Sequence, residues 1–283
     1  MEALGLSDGF VVAFVQVVLI DLVMSGDNAI IIGLAVAGLP AENRTRIIFW
    51  GVVGASSLLI GAVVAYVASP SKKFIAIVMA LGAGLLIGSV AFELIDEALE
   101  IAEVGRVGVF MLVGAATFTL GNWFLDKKGA GDRKDSGGDQ EDGSPLAIVF
   151  GSILDGIPES FVLGLTVLEG GVSVGLLAGV MLSNLPEGMS SSAGLRIAGW
   201  PRGRVFGMWI AVAVVAGVSA ALGYEVLGDS SGHSGAFAQG FAAGALLAMV
   251  ADTMLPEAYE TEKGFTGSLV AIGFAISLIL SSL

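Results

Sequence analysis

The chain has 283 residues, of which 55% are hydrophobic and only 14% are charged. Soluble domains carry roughly 25% charged residues, so the composition excludes an ordinary soluble enzyme. The net charge of −13 argues against a nucleic-acid-binding protein, since such proteins need a basic surface. Cysteine is absent and histidine occurs once. Disulfides, thiolate chemistry and multi-histidine metal sites are therefore excluded.

Long apolar stretches predict an all-α polytopic membrane protein, because a helix needs about 20 mostly apolar residues to cross a bilayer. The hydrophilic segment between the fourth and fifth stretches, 126–144, is typical of a flexible loop. Nine stretches satisfy the length condition: 10–39, 47–68, 74–100, 105–125, 145–167, 172–199, 204–226, 236–260 and 264–283.

Basic residues in the connecting segments predict the orientation of these spans. Segments on one side of the bilayer carry ten Lys or Arg residues, and those on the other side carry three. The positive-inside rule therefore places the N-terminus and the 126–144 loop in the cytoplasm and the C-terminus outside. We expect a prokaryotic inner (plasma) membrane. If 10–39 is broken or re-entrant, only the N-terminus changes side.

Two predicted spans repeat each other in sequence. Residues 83–100 and 243–260 match at an offset of 160, including Glu97 with Glu257 and Glu100 with Glu260. The two spans run in opposite directions, as in the inverted repeats of many transporters. Chance similarity between helices rich in Ala, Gly and Leu is the alternative.

Acidic residues occur within the predicted spans or at their ends, whereas no Lys or Arg lies in the middle of a span. A carboxylate at bilayer depth costs at least about 2.5–3.5 kcal/mol, so it must be protonated, paired or solvated. Because basic side chains are missing from the middle of the spans, a transported cation or a proton is the simplest source of positive charge.

The most specific pattern is a Pro-Glu step in two neighbouring spans, DGIPE at 155–159 and SNLPE at 183–187. Each pair of polar residues, Asp155 with Glu159 and Asn184 with Glu187, shares a helix face. Each proline also kinks its helix and frees a backbone carbonyl. Such a set of oxygen atoms indicates a divalent-cation site. Alternatively, the prolines shape two packed helices and the acids are protonated and hydrogen-bonded.

Around these residues the chain resembles the ZIP (Zrt/Irt-like) family of divalent metal transporters, over about 52–283. The resemblance includes GASSLLIGAVVAY at 54–66, both Pro-Glu helices, and ADTMLPEAYE at 251–260. It implies an eight-helix ZIP-like bundle with inverted repeats in 47–283, with one extra N-terminal helix before it. It also implies metal transport toward the cytoplasm.

The resemblance further implies which side chains bind metal: Asp155, Glu159, Ser183, Asn184 and Glu187. Family members usually have His at the first of these positions, Asn or Asp at Gly156, and often His or Gln at Ser183. A site made of oxygen atoms alone is harder than one with imidazole, so manganese, iron(II) or magnesium become as plausible as zinc. Gly156 leaves open whether one or two metals bind.

The first 55 residues resemble a different family. IDLVMSGDNAIIIGLA at 20–35 and the segment that follows resemble the opening of the TerC family, which is linked to metal homeostasis, including manganese export and tellurite resistance. Its carboxylate motif is matched by Asp21, Asp27 and Asn28. We therefore expect a TerC-like helix within 1–46, which either adds ligands to a cation path or packs with its Asp residues hydrogen-bonded internally.

Other acidic residues near helix ends are candidates for a cation pathway: Glu93, Glu97, Asp252 and Glu257, together with Asp21, Asp27 and Asn28. Solvation at the membrane interface is an equally simple explanation for the first four.

The sequence thus predicts a transporter of divalent metals, with the metal as substrate and no cofactor. Its expected partners are the lipid bilayer and metal ions, without nucleic acid, and a homodimer is compatible with the sequence. A non-transporting membrane metal sensor or scaffold related to ZIP, or a TerC-like metal exporter, is the alternative. An intramembrane protease could use Asp27 and Asp252, but the GxGD motif is missing. We therefore expect no enzyme activity.

Overall fold

The computed structural model describes residues 41–130, 145–168, 173–227 and 233–282, and all regular elements within these ranges are helices. Eight helices follow one another there: α1 (Ala41–Val67), α2 (Lys72–Ser89, continued by Val90–Ile95 and Asp96–Ile101), α3 (Val104–Leu125, continued by Asp126–Ala130), α4 (Pro145–Leu168), α5 (Val174–Ile197), α6 (Arg202–Leu227), α7 (His233–Met249, continued by Val250–Met254 and Leu255–Glu262) and α8 (Thr266–Leu280).

These helices coincide with eight of the nine predicted spans, so the all-α polytopic architecture is confirmed. Within the described ranges, five helices are long and apolar enough to cross a membrane by length and composition, and α8 is a shorter apolar helix. The predicted span 10–39, with Asp21, Asp27 and Asn28, lies outside the described residues.

The predicted loop begins later than the sequence indicated. Residues Asp126–Ala130 form a π-helical continuation of α3, so the first five residues of the expected 126–144 loop are helical. Asn122 donates a 3.2 Å hydrogen bond to Asp126 across one helical turn, which stabilises this extension. Residues 131–144 lie outside the described ranges.

The helices pack in two groups. In the first, α1 lies against α5 and α6, and α6 also packs along α4. Leu58, Leu195 and Trp209 form a buried core in this group. In the second, α2 packs along α8 and α7 packs along α3. Contacts between α2 and α5 join the two groups, and Met79, Leu86 and Leu176 belong to the core between them.

Glycines permit the closest helix contacts. Each glycine lies against a backbone carbonyl of the neighbouring helix, so an added Cβ would overlap that carbonyl. Small residues allow this approach in membrane proteins. The contacts are Gly84 with Val270 and Gly273 with Leu81 between α2 and α8, and Gly244 with Met111 and Gly114 with Phe241 between α7 and α3. Gly84 and Gly244 are 160 residues apart, and Gly114 and Gly273 are 159 residues apart, so the repeat relates the two pairs of helices.

The repeat detected in the sequence also has a counterpart in helix geometry. A π-helical segment begins at Val90 in α2 and at Val250 in α7, again 160 residues apart. Gln239 near the start of α7 donates a 2.8 Å hydrogen bond to Glu97 near the end of α2, so the two helices run antiparallel. Both features agree with an inverted repeat.

We predict that Gly114→Ala destabilises the protein by about 1–3 kcal/mol, because the new Cβ would overlap the Phe241 carbonyl and separate α3 from α7. Gly108→Ala on the same helix is the matched control, since no atom lies within 4 Å of its Cβ position. It should be neutral or slightly stabilising. Thermal unfolding in detergent measures both variants, and equal stability would contradict the packing described above.

Candidate metal site

The five residues that the sequence predicts as metal ligands are all buried. Asp155 and Glu159 lie one turn apart on α4, and Ser183, Asn184 and Glu187 lie on the facing part of α5. Their exposed fractions are between 1% and 4%. Burying a carboxylate in an apolar medium is costly unless positive charge or hydrogen bonds compensate it. The three buried acids therefore need a cation, a bound proton or hydrogen-bond donors nearby.

A hydrogen bond joins the two helices at the centre of this group. The Ser183 hydroxyl donates to Glu159 Oε1 at 2.7 Å and also lies 2.9 Å from the Val180 carbonyl of its own helix. The structure therefore brings together one predicted ligand of α4 and one of α5. Ser183 acts here as a hydrogen-bond donor to the carboxylate, a role that the sequence pattern did not predict.

Helix α1 also reaches the site, which sequence reasoning missed. Asn184 Nδ2 lies 3.4 Å from the Gly54 carbonyl of α1 and donates to it. The approach is possible because Gly61 of α1 lies against the Leu185 carbonyl and Gly188 of α5 lies against the Leu58 carbonyl. The repeated glycines in both segments were the available signal. The Asn184 amide is thereby oriented with its nitrogen toward α1.

Both prolines lie inside continuous helices. Pro186 cannot donate to the Leu182 carbonyl. That oxygen lies 2.8 Å from the position that a Cβ would take on Gly82 of α2. Helix α2 therefore covers this carbonyl at close range, and the predicted role of the oxygen as a metal ligand has no support from its surroundings.

A small cavity borders the site where α1, α4, α5 and α6 meet. Its polar lining consists of Ser160, Asn184 and Ser219, and Leu58 and Ile157 are among its apolar walls. Gly156 also lines it, and no atom lies within 4 Å of the position of an added Cβ there. The position at which ZIP family members have Asn or Asp thus faces open space in this protein.

Among the described side chains, no group of three or more His, Cys, Asp or Glu residues is arranged to hold a metal ion. Binding at this site therefore needs oxygen atoms from Ser183, Asn184 or the backbone, or a movement of α4 against α5 that brings the carboxylates closer together.

The candidate pathway residues have different surroundings. Glu93 of α2 is 9% exposed, and its Oε1 lies 2.7 Å from the Cβ position of Gly175, at the start of α5. Glu97 accepts the hydrogen bond from Gln239. Asp252 is exposed and accepts a 3.2 Å hydrogen bond from Thr119, and Glu257 is half-buried. Glu93 and Glu97 thus lie near the end of α2 that faces α5 and α7.

Residues 6–126 match the model of the family described as the integral membrane protein TerC family. The match spans less than half of the chain. It includes the segment whose sequence resembles TerC, and it continues through α1, α2 and most of α3, which the resemblance had assigned to the ZIP family. This match does not support the ZIP assignment. No curated protein matches the chain.

We predict that Ser183→Ala destabilises the metal-free protein by about 1–3 kcal/mol, because a buried carboxylate loses a hydrogen-bond donor. Ser57→Ala is the control: that serine is also buried, but it bonds to the Gly54 carbonyl within α1, so its loss should cost less. Thermal unfolding in detergent with a chelator provides the comparison. A larger loss in the Ser57 variant would contradict a supporting role for Ser183.

Proposed function

We propose that the protein transports divalent metal cations across the membrane through the buried oxygen-rich site between α4 and α5. The observation that carries this proposal is the burial of Asp155, Glu159 and Glu187, together with Ser183 and Asn184, on two successive helices, each side chain at most 4% exposed. Carboxylate, hydroxyl and amide oxygens are the ligands that hard divalent cations prefer. A cation that binds there compensates the burial of the acids.

The composition of the two helices supports a cation as the compensating charge. Helix α4 contains no Lys or Arg, and α5 contains only Arg196 in its last turn. The repeat that relates α2 to α7 supports transport, since inverted repeats form many transporters with a central site. The metal is the substrate in this proposal, and neither a resident cofactor nor an enzymatic step is required.

The resemblance to ZIP transporters supports movement toward the cytoplasm. The match to the TerC family instead favours a second candidate, a metal exporter, since the resembling family is linked to manganese export. A membrane metal sensor or scaffold is favoured by the lack of a preformed group of three acidic side chains in the described part. All three proposals use the same site. They differ in whether metal crosses the membrane and in which direction.

We predict that purified protein in liposomes carries at least one of Mn²⁺, Fe²⁺, Zn²⁺, Co²⁺ and Cd²⁺, and that Glu159→Gln or Glu187→Gln lowers the rate by at least about tenfold, because each removes an anionic ligand. Glu260→Gln, at an exposed acid of α7, is the control and should keep the rate. Flux measured with metal supplied inside or outside distinguishes export from import once the orientation is known.

The outcomes separate the candidates. Loss of flux in both glutamate variants supports a transport site on α4 and α5. Metal binding without flux, lost in the same variants, supports the sensor. Full flux in both variants would exclude this site from the transport path.

We further predict that Gly156→Asp raises the metal stoichiometry or tightens binding by about tenfold, because its carboxylate enters the cavity beside Asn184. Gly156→Ala fills the same space without an oxygen atom and should bind like the wild type. Isothermal titration with Mn²⁺ or Zn²⁺ makes the comparison. Equal binding by the Asp and Ala variants would show that the cavity is not part of the metal site.

A further inference from the structure

Three arginines meet two aromatic rings where α1 and α5 end and α6 begins. The guanidinium carbons of Arg196 and Arg202 lie 5.7 and 5.3 Å from the centre of the Tyr66 ring. The guanidinium carbon of Arg204 lies 5.3 Å from the centre of the Trp200 ring. These distances are within the range of cation–π contacts, so the rings hold three positive charges in one small region.

The two rings are fixed by the core beneath them. Tyr66 and Trp200 pack against the buried cluster that contains Leu58, Leu195 and Trp209. The Tyr66 ring also lies 5.7 Å from the Phe206 ring. Because the rings are anchored, the guanidinium groups are positioned before a ligand arrives. The guanidinium groups are exposed, so N–H donors remain available to a ligand.

The positive charge of this region is not balanced by a described acidic side chain. None of the three arginines forms an ion pair with an acid in the described ranges; the ion pair at this end is Lys73 with Glu262 at 3.6 Å. All three arginines are exposed. The site thus offers donors and positive charge to an anion.

The start of α6 adds to the attraction for an anion. The helix begins at Arg202, where its dipole favours negative charge. No atom lies within 4 Å of a Cβ position on Gly203, so this first turn is open to a ligand.

The surroundings identify a lipid rather than a soluble anion. Val67 follows Tyr66 and is 82% exposed, and Ile197 follows Arg196 and is 51% exposed. Exposed apolar side chains beside aromatic and basic ones are typical of the membrane interface. On α3, Lys127 lies 3.5 Å from the centre of the exposed Trp123 ring, which repeats this arrangement.

We propose that Arg196, Arg202 and Arg204, positioned by the Tyr66 and Trp200 rings, bind the headgroup phosphate of an anionic phospholipid, whose acyl chains lie along Val67 and Ile197. Arginine suits this ligand because its fork of N–H donors matches two phosphate oxygens. The inference is independent of the proposed transport function.

The test measures lipid retained by the purified full chain, by native mass spectrometry during titration with phosphatidylglycerol or phosphatidylcholine. The wild type should retain phosphatidylglycerol selectively. The double variant Arg196→Gln with Arg202→Gln should weaken that binding by about 30-fold, since each basic residue near an anionic lipid contributes about fivefold. Phosphatidylcholine binding should not change.

The control double variant, Lys72→Gln with Lys263→Gln, removes two exposed charges that lie outside the aromatic cluster. It should change phosphatidylglycerol binding by less than about threefold. Tyr66→Phe keeps the ring that positions Arg196 and Arg202 and should bind like the wild type, since the Tyr66 hydroxyl is buried. Thermal unfolding checks that each variant is folded.

Three results would overturn the proposal. In the first, the arginine variant binds phosphatidylglycerol as the wild type does. In the second, the lysine control loses as much binding, which would show unspecific attraction by surface charge. In the third, inorganic phosphate competes with the lipid at equal concentration, which would show a site for a soluble anion.

Discussion

Carboxylates buried away from water are costly unless they are compensated, and much of the packing around them can be understood as a response to that cost. Asp155 and Glu159 of α4 and Glu187 of α5 are buried. Ser183 supplies a hydrogen-bond donor across the two helices, and Gly54 of α1 orients Asn184. These hydrogen bonds need closely spaced helices. Glycines on α1 and α5 permit an approach that larger side chains would prevent. The glycines are therefore needed for the hydrogen bonds that support the buried acids.

The same close packing organises the second group of helices. Reciprocal glycine contacts hold α2 to α8 and α7 to α3, and the two pairs are related by the repeat. Each π-helical segment, beginning at Val90 and Val250, changes the helix face that follows it, because one extra residue is inserted in the turn. Glu93 lies in the π-helical segment of α2, and Asp252 lies in that of α7. The repeat therefore places an acid in the corresponding segment of each helix, and because the helices are antiparallel, the two acids lie toward opposite ends of the pair.

Features that depend on residues close together in the chain were predicted from the sequence, and features that depend on residues far apart were not. Apolar length depends on local composition, so eight helices were predicted within a few residues, and the acids of DGIPE and SNLPE were correctly expected on neighbouring helices. The contact of Asn184 with Gly54 joins residues 130 positions apart and has no local signal. The helical turn at Asp126 was missed because its Gly, Lys and Asp residues are also typical of loops. The cavity at Gly156 depends on four helices and could not be derived from one.

The two proposed sites are close enough to influence each other. Glu187 and Arg196 lie nine residues apart on α5, which corresponds to about 14 Å along a helix. At an effective dielectric constant of about 20, two unit charges at this distance interact by about 1 kcal/mol. Arg196 at the end of α5 therefore disfavours a divalent cation beside Glu187 by at most about this amount, because its charge is exposed and partly screened by solvent. A phosphate bound to Arg196 offsets that repulsion, so an anionic lipid would strengthen metal binding without touching the metal. Taken together, the two proposals imply that the Arg196 region would link the composition of the bilayer to the affinity of the buried acids for a cation.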